Sequence, residues 1–298
     1  MRAFILRIGI AFACVSGFAC RDVHAITIED LDRAIAINPD SGDAYYNRGL
    51  FWERQGLWAK AAGDFGKAIS LNPKDAGAYK ARAGAYVQLD NLTQALADYD
   101  KALVLTPQDA AVYYNRGLVF AHLGDTARSI ADFSQAILID PKDARSYHNR
   151  ALSWYKAGDT NKAIADLTKS IALDPANATA YYNRGLCYDR QAKYIDAIND
   201  FSKAVRLNPA YAQAYTNRGK IYVQLNDYTQ ARLDFTKAIE INPNIPQTYN
   251  NRAIVYYRLK EYHKAWGDLQ KALGLGYKVN EQLMRIIKEA GSRQQEGK

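Results

Sequence analysis

Seven of the eight prolines, Pro39, Pro73, Pro107, Pro141, Pro175, Pro209 and Pro243, follow one another at a spacing of 34 residues. A spacing this strict restricts the chain to a stack of like units, because each unit must bury its apolar face against the next. Two charged ladders keep the same phase. One is Arg48, Arg82, Arg116, Arg150, Arg184, Arg218 and Arg252, each followed by Gly or Ala; the other is Asp64, Asp98, Asp132, Asp166, Asp200, Asp234 and Asp268.

With each unit numbered from Gly42, the apolar residues fall on two short helical patterns. Helix A carries Tyr at position 4, Gly or Ala at 8 and an aromatic at 11, as in Tyr45, Gly49 and Trp52 or Tyr181, Gly185 and Tyr188. Offsets of i, i+4 and i+7 place them on one stripe. Helix B carries Ala61, Phe65, Ala68 and Ile69, again on one stripe. Rings on one helix opposite small residues on the other allow close approach, so aromatic knobs fill the holes that Gly and Ala leave. Position 15 is Gly56, Gly124, Gly158, Asp90 or Asn226, types that tolerate a left-handed backbone and end helix A. The recurrent proline ends helix B by pushing its predecessor out of the helical region. Each unit is a helix, a tight turn and an antiparallel helix, so the fold is all-α.

At about 100° per residue, position 7 lies on the flank of helix A's core stripe and position 23 on the matching flank of helix B. Each Arg is expected to fork onto an Asp of its own unit (Arg48 to Asp64) or of the unit before (Arg48 to Asp30). The role of these ladders is architectural.

The runs Tyr181-Tyr182-Asn183-Arg184-Gly185 and Phe201-Ser202-Lys203-Ala204-Val205-Arg206-Leu207-Asn208-Pro209 strongly resemble the tetratricopeptide repeat family, over residues 27–279. Position 7, usually leucine there, is always arginine here, which marks an Asn-Arg-Gly subtype. Position 20, usually Ala, is Ser129 in the third unit and should pack less well. The resemblance implies a right-handed α-solenoid (superhelix) of antiparallel helix pairs, divided as a half-repeat at 26–41, seven repeats at 42–279, a capping helix at 280–290 and a disordered tail at 291–298. In the cap, Asn280 starts a helix whose Leu283, Ile286 and Ile287 cover the last repeat.

The resemblance also implies that positions 2, 5, 6, 9, 12 and 13 of helix A line the concave side. Position 6 is Asn47, Asn115, Asn149, Asn183, Asn217 and Asn251, interrupted by Ala81. An amide is both donor and acceptor, so such a row suits the main chain of an extended peptide; the alternative is that Asn holds the helix start or a neighbouring unit. Position 5 adds Tyr46, Tyr114, His148 and Tyr182, which packing does not require, and position 13 adds Arg54, Lys156, Arg190 and Arg258. Acids on this face are few, chiefly Asp43, Glu53 and Asp189. The partner expected is a protein or peptide, acidic or with a free carboxylate. The family's chaperone-tail clamp does not carry over, because Leu50 and Gly84 occupy position 9.

Residues 1–25 carry the features of a secretory signal: Arg2 and Arg7, an apolar run from Ile8 to Ala19, and Val23-His24-Ala25 for cleavage. The run is too short to span a bilayer, which takes roughly 20 apolar residues. Export to the periplasm or medium is expected, the alternative being a lipoprotein tethered through Cys20. The formal charge of +8 includes leader residues and is diffuse, so nucleic acid is not the expected partner. His24, His122, His148 and His263 lack ligand spacing, Cys187 is the sole cysteine beyond the leader, and no nucleophile, acid-base pair or phosphate loop stands out. No cofactor, metal or catalysis is expected. The function inferred is a scaffold that binds an extended polypeptide, in cell-envelope assembly among other roles; the alternative is a spacer or self-associating homo-oligomeric array using the convex face and ends.

Overall fold

The computed structural model describes residues 27–296, and every element among them is an α-helix. The expected signal at 1–25, with Cys20, lies outside them. The chain divides into two compact units, Met1–Leu89 and Asp90–Lys298. The boundary falls between the two helices of the second repeat. The first unit holds α1 (Ile28–Ile37), α2 (Gly42–Arg54), α3 (Trp58–Leu71) and α4 (Ala76–Gln88). The second holds α5 (Leu92–Leu105), α6 (Ala110–Leu123), α7 (Thr126–Ile139), α8 (Ala144–Ala157), α9 (Thr160–Leu173), α10 (Ala178–Arg190), α11 (Tyr194–Leu207), α12 (Ala212–Gln224), α13 (Tyr228–Ile241), α14 (Pro246–Arg258), α15 (Tyr262–Gly274) and α16 (Glu281–Glu296). Within each unit consecutive helices pack on one another, as a solenoid of helix pairs requires.

The turns follow the sequence logic. Helix A ends in a left-handed residue at Gly56, Gly124 and Gly158, and also at Asp90 and Asn226. Ala192 (φ 55°) and Lys260 (φ 60°) take the same conformation against their preference. Helix B ends in extended backbone before each proline, for example at Asn72 (φ −133°, ψ 87°) and Asn208 (φ −131°, ψ 91°). The Asn72 and Asn208 side chains then accept from the backbone two residues on, at 3.2 and 3.1 Å, which turns the chain into the next helix.

Inside each pair the contact is a ring against a missing side chain. Phe65, Phe133, Phe201 and Phe235 are fully buried. A Cβ added at Gly49, Gly117, Gly185 or Gly219 would lie 2.6, 3.0, 2.8 or 2.9 Å from the facing ring. Where helix B offers the smaller Leu167 or Leu269, helix A has Ala151 or Ala253, packed in the same core cluster. In these six repeats residue size at position 8 follows the volume at position 24, while the second repeat pairs Ala83 at position 8 with Tyr99 at position 24.

The charged ladders bind three helices together. Arg150 Nε and Nη2 fork onto Asp166 at 2.8 and 2.7 Å while Nη1 donates to Ser134 Oγ at 3.0 Å. Arg48 forks onto Asp64 and reaches Asp32, Arg116 onto Asp132 and Asp100, Arg184 onto Asp200 and Thr168, Arg218 onto Asp234 and Ser202, and Arg252 onto Asp268 and Thr236. The fork goes to the arginine's own repeat. The contact to the repeat before is made two residues beyond the position expected, at Asp32 for Arg48, while Asp30 closes a capping box with Thr27.

Two other expectations are corrected. Ser129 is not a weak spot: its hydroxyl donates to Thr126 O at 3.0 Å and pairs with Ser153 Oγ at 2.9 Å on α8. The terminal helix does not stop at Ala290, nor is 291–296 a disordered tail, since α16 continues to Glu296. Arg, Gln and Glu are strong helix formers, Ser292 Oγ donates to Lys288 O, and Gly291 lies against Tyr262. Asn280 caps α16 through Leu283 N at 3.0 Å, and Ile287 is buried, but Ile286 is exposed and Val279 and Met284 complete the cover.

Two measurements check this packing. Gly185→Ala is expected to lower stability by about 1–3 kcal/mol in urea unfolding through overpacking against Phe201, and adding Phe201→Leu is expected to restore part of the loss. A double-mutant cycle on Arg150 is expected to couple to Asp166, with loss of either partner costing roughly 3–5 kcal/mol, and to show no coupling to Asp132.

Candidate functional site

In the second unit three of the five position-6 asparagines, Asn149, Asn183 and Asn217, do not stand free. Asn149 Nδ2 donates to the Tyr114 hydroxyl at 3.0 Å, Asn183 Nδ2 meets His148 Nε2 at 3.1 Å, and Asn217 Nδ2 donates to the Tyr182 hydroxyl at 2.9 Å. Each amide thus bridges to position 5 of the repeat before. Asn149 Nδ2 also donates to Arg145 O at 3.0 Å. In these three repeats the amide does hold a neighbouring unit. Position 5 of the sixth repeat is Thr216, whose hydroxyl donates to Ala212 O at 3.0 Å and is too short to serve Asn251 in the same way. With the nitrogen side engaged, each bridging amide keeps Oδ1 as an acceptor; Lys220 Nζ approaches that of Asn217 at 3.4 Å.

The position-5 aromatics, expected to be spare, are structural. Tyr46, Tyr114 and Tyr182 set their rings 5.6, 5.8 and 5.7 Å from Phe65, Phe133 and Phe201. A helix A side chain at this position leans back over the core ring, which a stripe drawn at position 4 alone does not capture. Burial raises the phenol pKa of Tyr114 and Tyr182 and lowers that of His148, so all three are uncharged at neutral pH. His148 Nδ1 is buried without a hydrogen-bond partner.

The cations of the face differ from one another. Arg54, Lys156 and Arg258 are exposed, as is Asn47, while Asn115 and Asn251 are half-buried. Arg190 is engaged: Nη1 donates to Tyr155 O at 3.2 Å and its guanidinium lies 5.2 Å from the Tyr155 ring. Arg145, not singled out in the sequence, stacks 5.0 Å over Tyr114 and pairs with Asp143 at 2.8 Å. Its signal was a position-2 cation next to a tyrosine of the previous repeat. Tyr114, Asp143 and Arg145 line an open cavity of about 670 Å³ with Thr106, Gln108 and Asp140. Cys187 is buried, which pushes its thiol up to about 12 and makes it a poor nucleophile. No helix among the described residues is long and apolar enough to cross a membrane.

Family models described as tetratricopeptide repeat match residues 42–75, 110–143, 178–211, 212–245 and 235–267, and one described as TPR repeat matches 83–124 and 152–192. Together they take in well over half of the chain. No curated protein matches. Among solved structures, YrrB, described as a TPR protein with an unusual peptide-binding site, is 26% identical, with a TM-score of 0.54 over 60% of this chain and 92% of its own. MamA is 26% identical, with a TM-score of 0.52 over 54% of this chain and 94% of its own. The C-terminal part of a TPR repeat-containing protein from Cytophaga hutchinsonii shares the fold at 19% identity, with a TM-score of 0.68 over 80% of this chain and 98% of its own.

One acid on the face carries a testable charge. Glu53 Oε2 is buried without a partner, and burial raises the carboxyl pKa against the opposing pull of Arg54. An acid whose folded pKa exceeds its unfolded value opposes folding while ionised, so that effect fades as pH falls through the raised pKa. Glu53→Gln is therefore expected to raise the melting temperature at pH 7 to 8, with the difference from wild type shrinking as the medium is acidified below the raised pKa.

Proposed function

This chain belongs to the tetratricopeptide repeat family, whose members serve as protein-interaction scaffolds, and on that footing we propose that it holds an extended polypeptide along its helix A face without catalysing a reaction. The observation that carries this reading is the amide row, in which Asn149, Asn183 and Asn217 are fixed through Nδ2, Asn149 and Asn183 keep Oδ1 for another donor, and Asn217 Oδ1 accepts from Lys220 at 3.4 Å. Fixing the amide in advance lowers the entropy lost when a ligand N–H is accepted. Neighbouring helices pack about 8–10 Å apart and an extended chain advances about 3.3 Å per residue, so successive amides suit roughly every third residue of a ligand. The peptide-binding site for which YrrB is described supports a peptide as the class of ligand. Exposed Lys156 and Arg258 favour a partner segment that is acidic or ends in a free carboxylate. With a leader read from the sequence at 1–25, the proposal extends to an exported protein, periplasmic or secreted, acting in cell-envelope assembly.

A second reading, self-association through the helix B side, is favoured by Val104 and Leu138, equivalent residues of α5 and α7 that are 73% and 74% exposed. Sedimentation at rising concentration separates the two: oligomers that survive alteration of the amide row support the second reading.

Affinity capture from the native extract tests the first. Asn149→Ala, Asn183→Ala and Asn217→Ala combined are expected to abolish capture, and Lys156→Glu with Arg258→Glu to weaken it about tenfold while leaving the bridges intact. Capture that both sets leave unchanged sinks the helix A face as the binding surface.

A further inference from the structure

One register of the repeat is filled by the chain in some places and left open in another. Where α8 follows α6, Arg145 stacks 5.0 Å over the Tyr114 ring, its Nε donates to Asp143 at 2.8 Å, and Asn149 donates to the tyrosine hydroxyl at 3.0 Å. Where α12 follows α10, the ring of Tyr211 takes the place of the guanidinium, 4.8 Å from Tyr182, and Asn217 supplies the donor at 2.9 Å. Where α4 follows α2, the tyrosine and the carboxylate recur at the same repeat positions as Tyr46 and Asp75, but Gly77 stands in place of Arg145 and Ala81 in place of Asn149.

Gly77 and Ala81 supply neither a guanidinium nor an amide at the places where the fourth repeat carries Arg145 and Asn149. A Cβ built on Gly77 would sit 3.8 Å from the Tyr46 hydroxyl and 3.1 Å from Asp75 Oδ1, and one built on Gly84, two turns along α4, would meet nothing within 4 Å. Asp75 gives one oxygen to Ala78 N as the cap of α4, at 3.1 Å. Burial, and after it the charges of Asp75 and Glu53, raise the phenol pKa of Tyr46, and Glu53 Oε2 is buried without a hydrogen-bond partner. Arg54, exposed and next to Glu53 in sequence, pulls the Glu53 carboxyl down against the effect of burial.

We propose that Tyr46, Asp75 and Glu53 form a receptor for an arginine side chain of the bound polypeptide, laid across Gly77, Ala81 and Gly84. The inference deepens the scaffold reading and rests on it. The second unit is the template: a tyrosine face and the cap aspartate of the next helix A already hold a guanidinium there. Arginine fits ahead of lysine because its planar group stacks on a ring and forks onto a carboxylate at once. A partner segment with arginine at this place meets the acidic part of the face, within the first unit alone.

The test uses the full chain with glycine-selective 15N labelling and two capped probes, acetyl-Gly-Ser-Arg-Ser-Gly-amide and the same peptide with citrulline. The Gly77 and Gly84 amide resonances are expected to shift saturably with the arginine peptide and to respond at least about fivefold more weakly to citrulline, which keeps the shape and lacks the charge. Gly77→Arg, which transplants the Arg145 arrangement onto α4, is expected to remove the response. Asp75→Asn, which keeps an N-cap acceptor and drops the charge, is expected to weaken it severalfold. Equal responses to the two peptides, or a Gly77→Arg protein that binds like wild type, overturn the receptor. Polypeptide capture that depends on Asn149, Asn183 and Asn217 but ignores Gly77→Arg removes this receptor and leaves the amide row standing. Arginine-specific shifts at Gly77 in a protein whose capture ignores those asparagines support the receptor and remove the amide row.

Discussion

The arginine fork is the interaction on which the rest depends. Asp64, Asp132, Asp166, Asp200, Asp234 and Asp268 are each no more than 8% exposed, and a carboxylate buried that far would strongly oppose folding without a counter-charge. The guanidinium supplies it and, being planar with five donors, has an Nη1 left over for the helix B of the repeat before. One side chain thereby sets the distance between two helices of a pair and the distance to the previous pair. The tyrosine at position 4 lies 5.6–5.9 Å from the same guanidinium, as with Tyr45, Tyr113 and Tyr181, so the fork is also wedged from the side. Such a buried pair fixes register more than it adds stability, and register is what a face built from many repeats needs.

The possible binding surface follows from that register. Because helix A of one repeat in the second unit is held in register with the one before, an asparagine reaches the residue 35 positions earlier, and it does so where that residue is Tyr or His. The bridge is a contact of architecture, and it also aims the remaining amide oxygen. Packing and the proposed recognition share one side chain here, so support and binding fall to two atoms of the same group.

Much of this was legible in the sequence. The spacing of Pro39, Pro73 and their successors placed every turn, and the Arg and Asp ladders pointed to the fork, because both signals depend on local backbone rules and on identical residues. What was not legible needs side-chain direction. Tyr46, Tyr114 and Tyr182 were expected to be spare because their positions lie beside the core stripe, yet they bend back over the phenylalanines. Asp32 rather than Asp30 meets Arg48, since two residues along a helix change both height and bearing. The run beyond Ala290 has nothing apolar to bury, so only helix propensity and a few local contacts argue for the helix it forms.

The matching of Gly with Phe and of Ala with Leu makes a single repeat indivisible. Duplicating or deleting genetic material in whole 34-residue lengths, cut between helix B and the next helix A, keeps Gly185 with Phe201 and Ala151 with Leu167. A crossover inside the tight turn that joined the helix A of Ala151 to the helix B of Phe201 would set a methyl group against a phenyl ring. The Ser129 and Ser153 hydroxyls form one seam where even a whole-unit exchange would matter, since a transplanted neighbour with a thiol or a methyl there would leave the remaining hydroxyl with its backbone carbonyl alone. The array can therefore grow and shrink by recombination at most of its joints, and its history is written in which joints it could use.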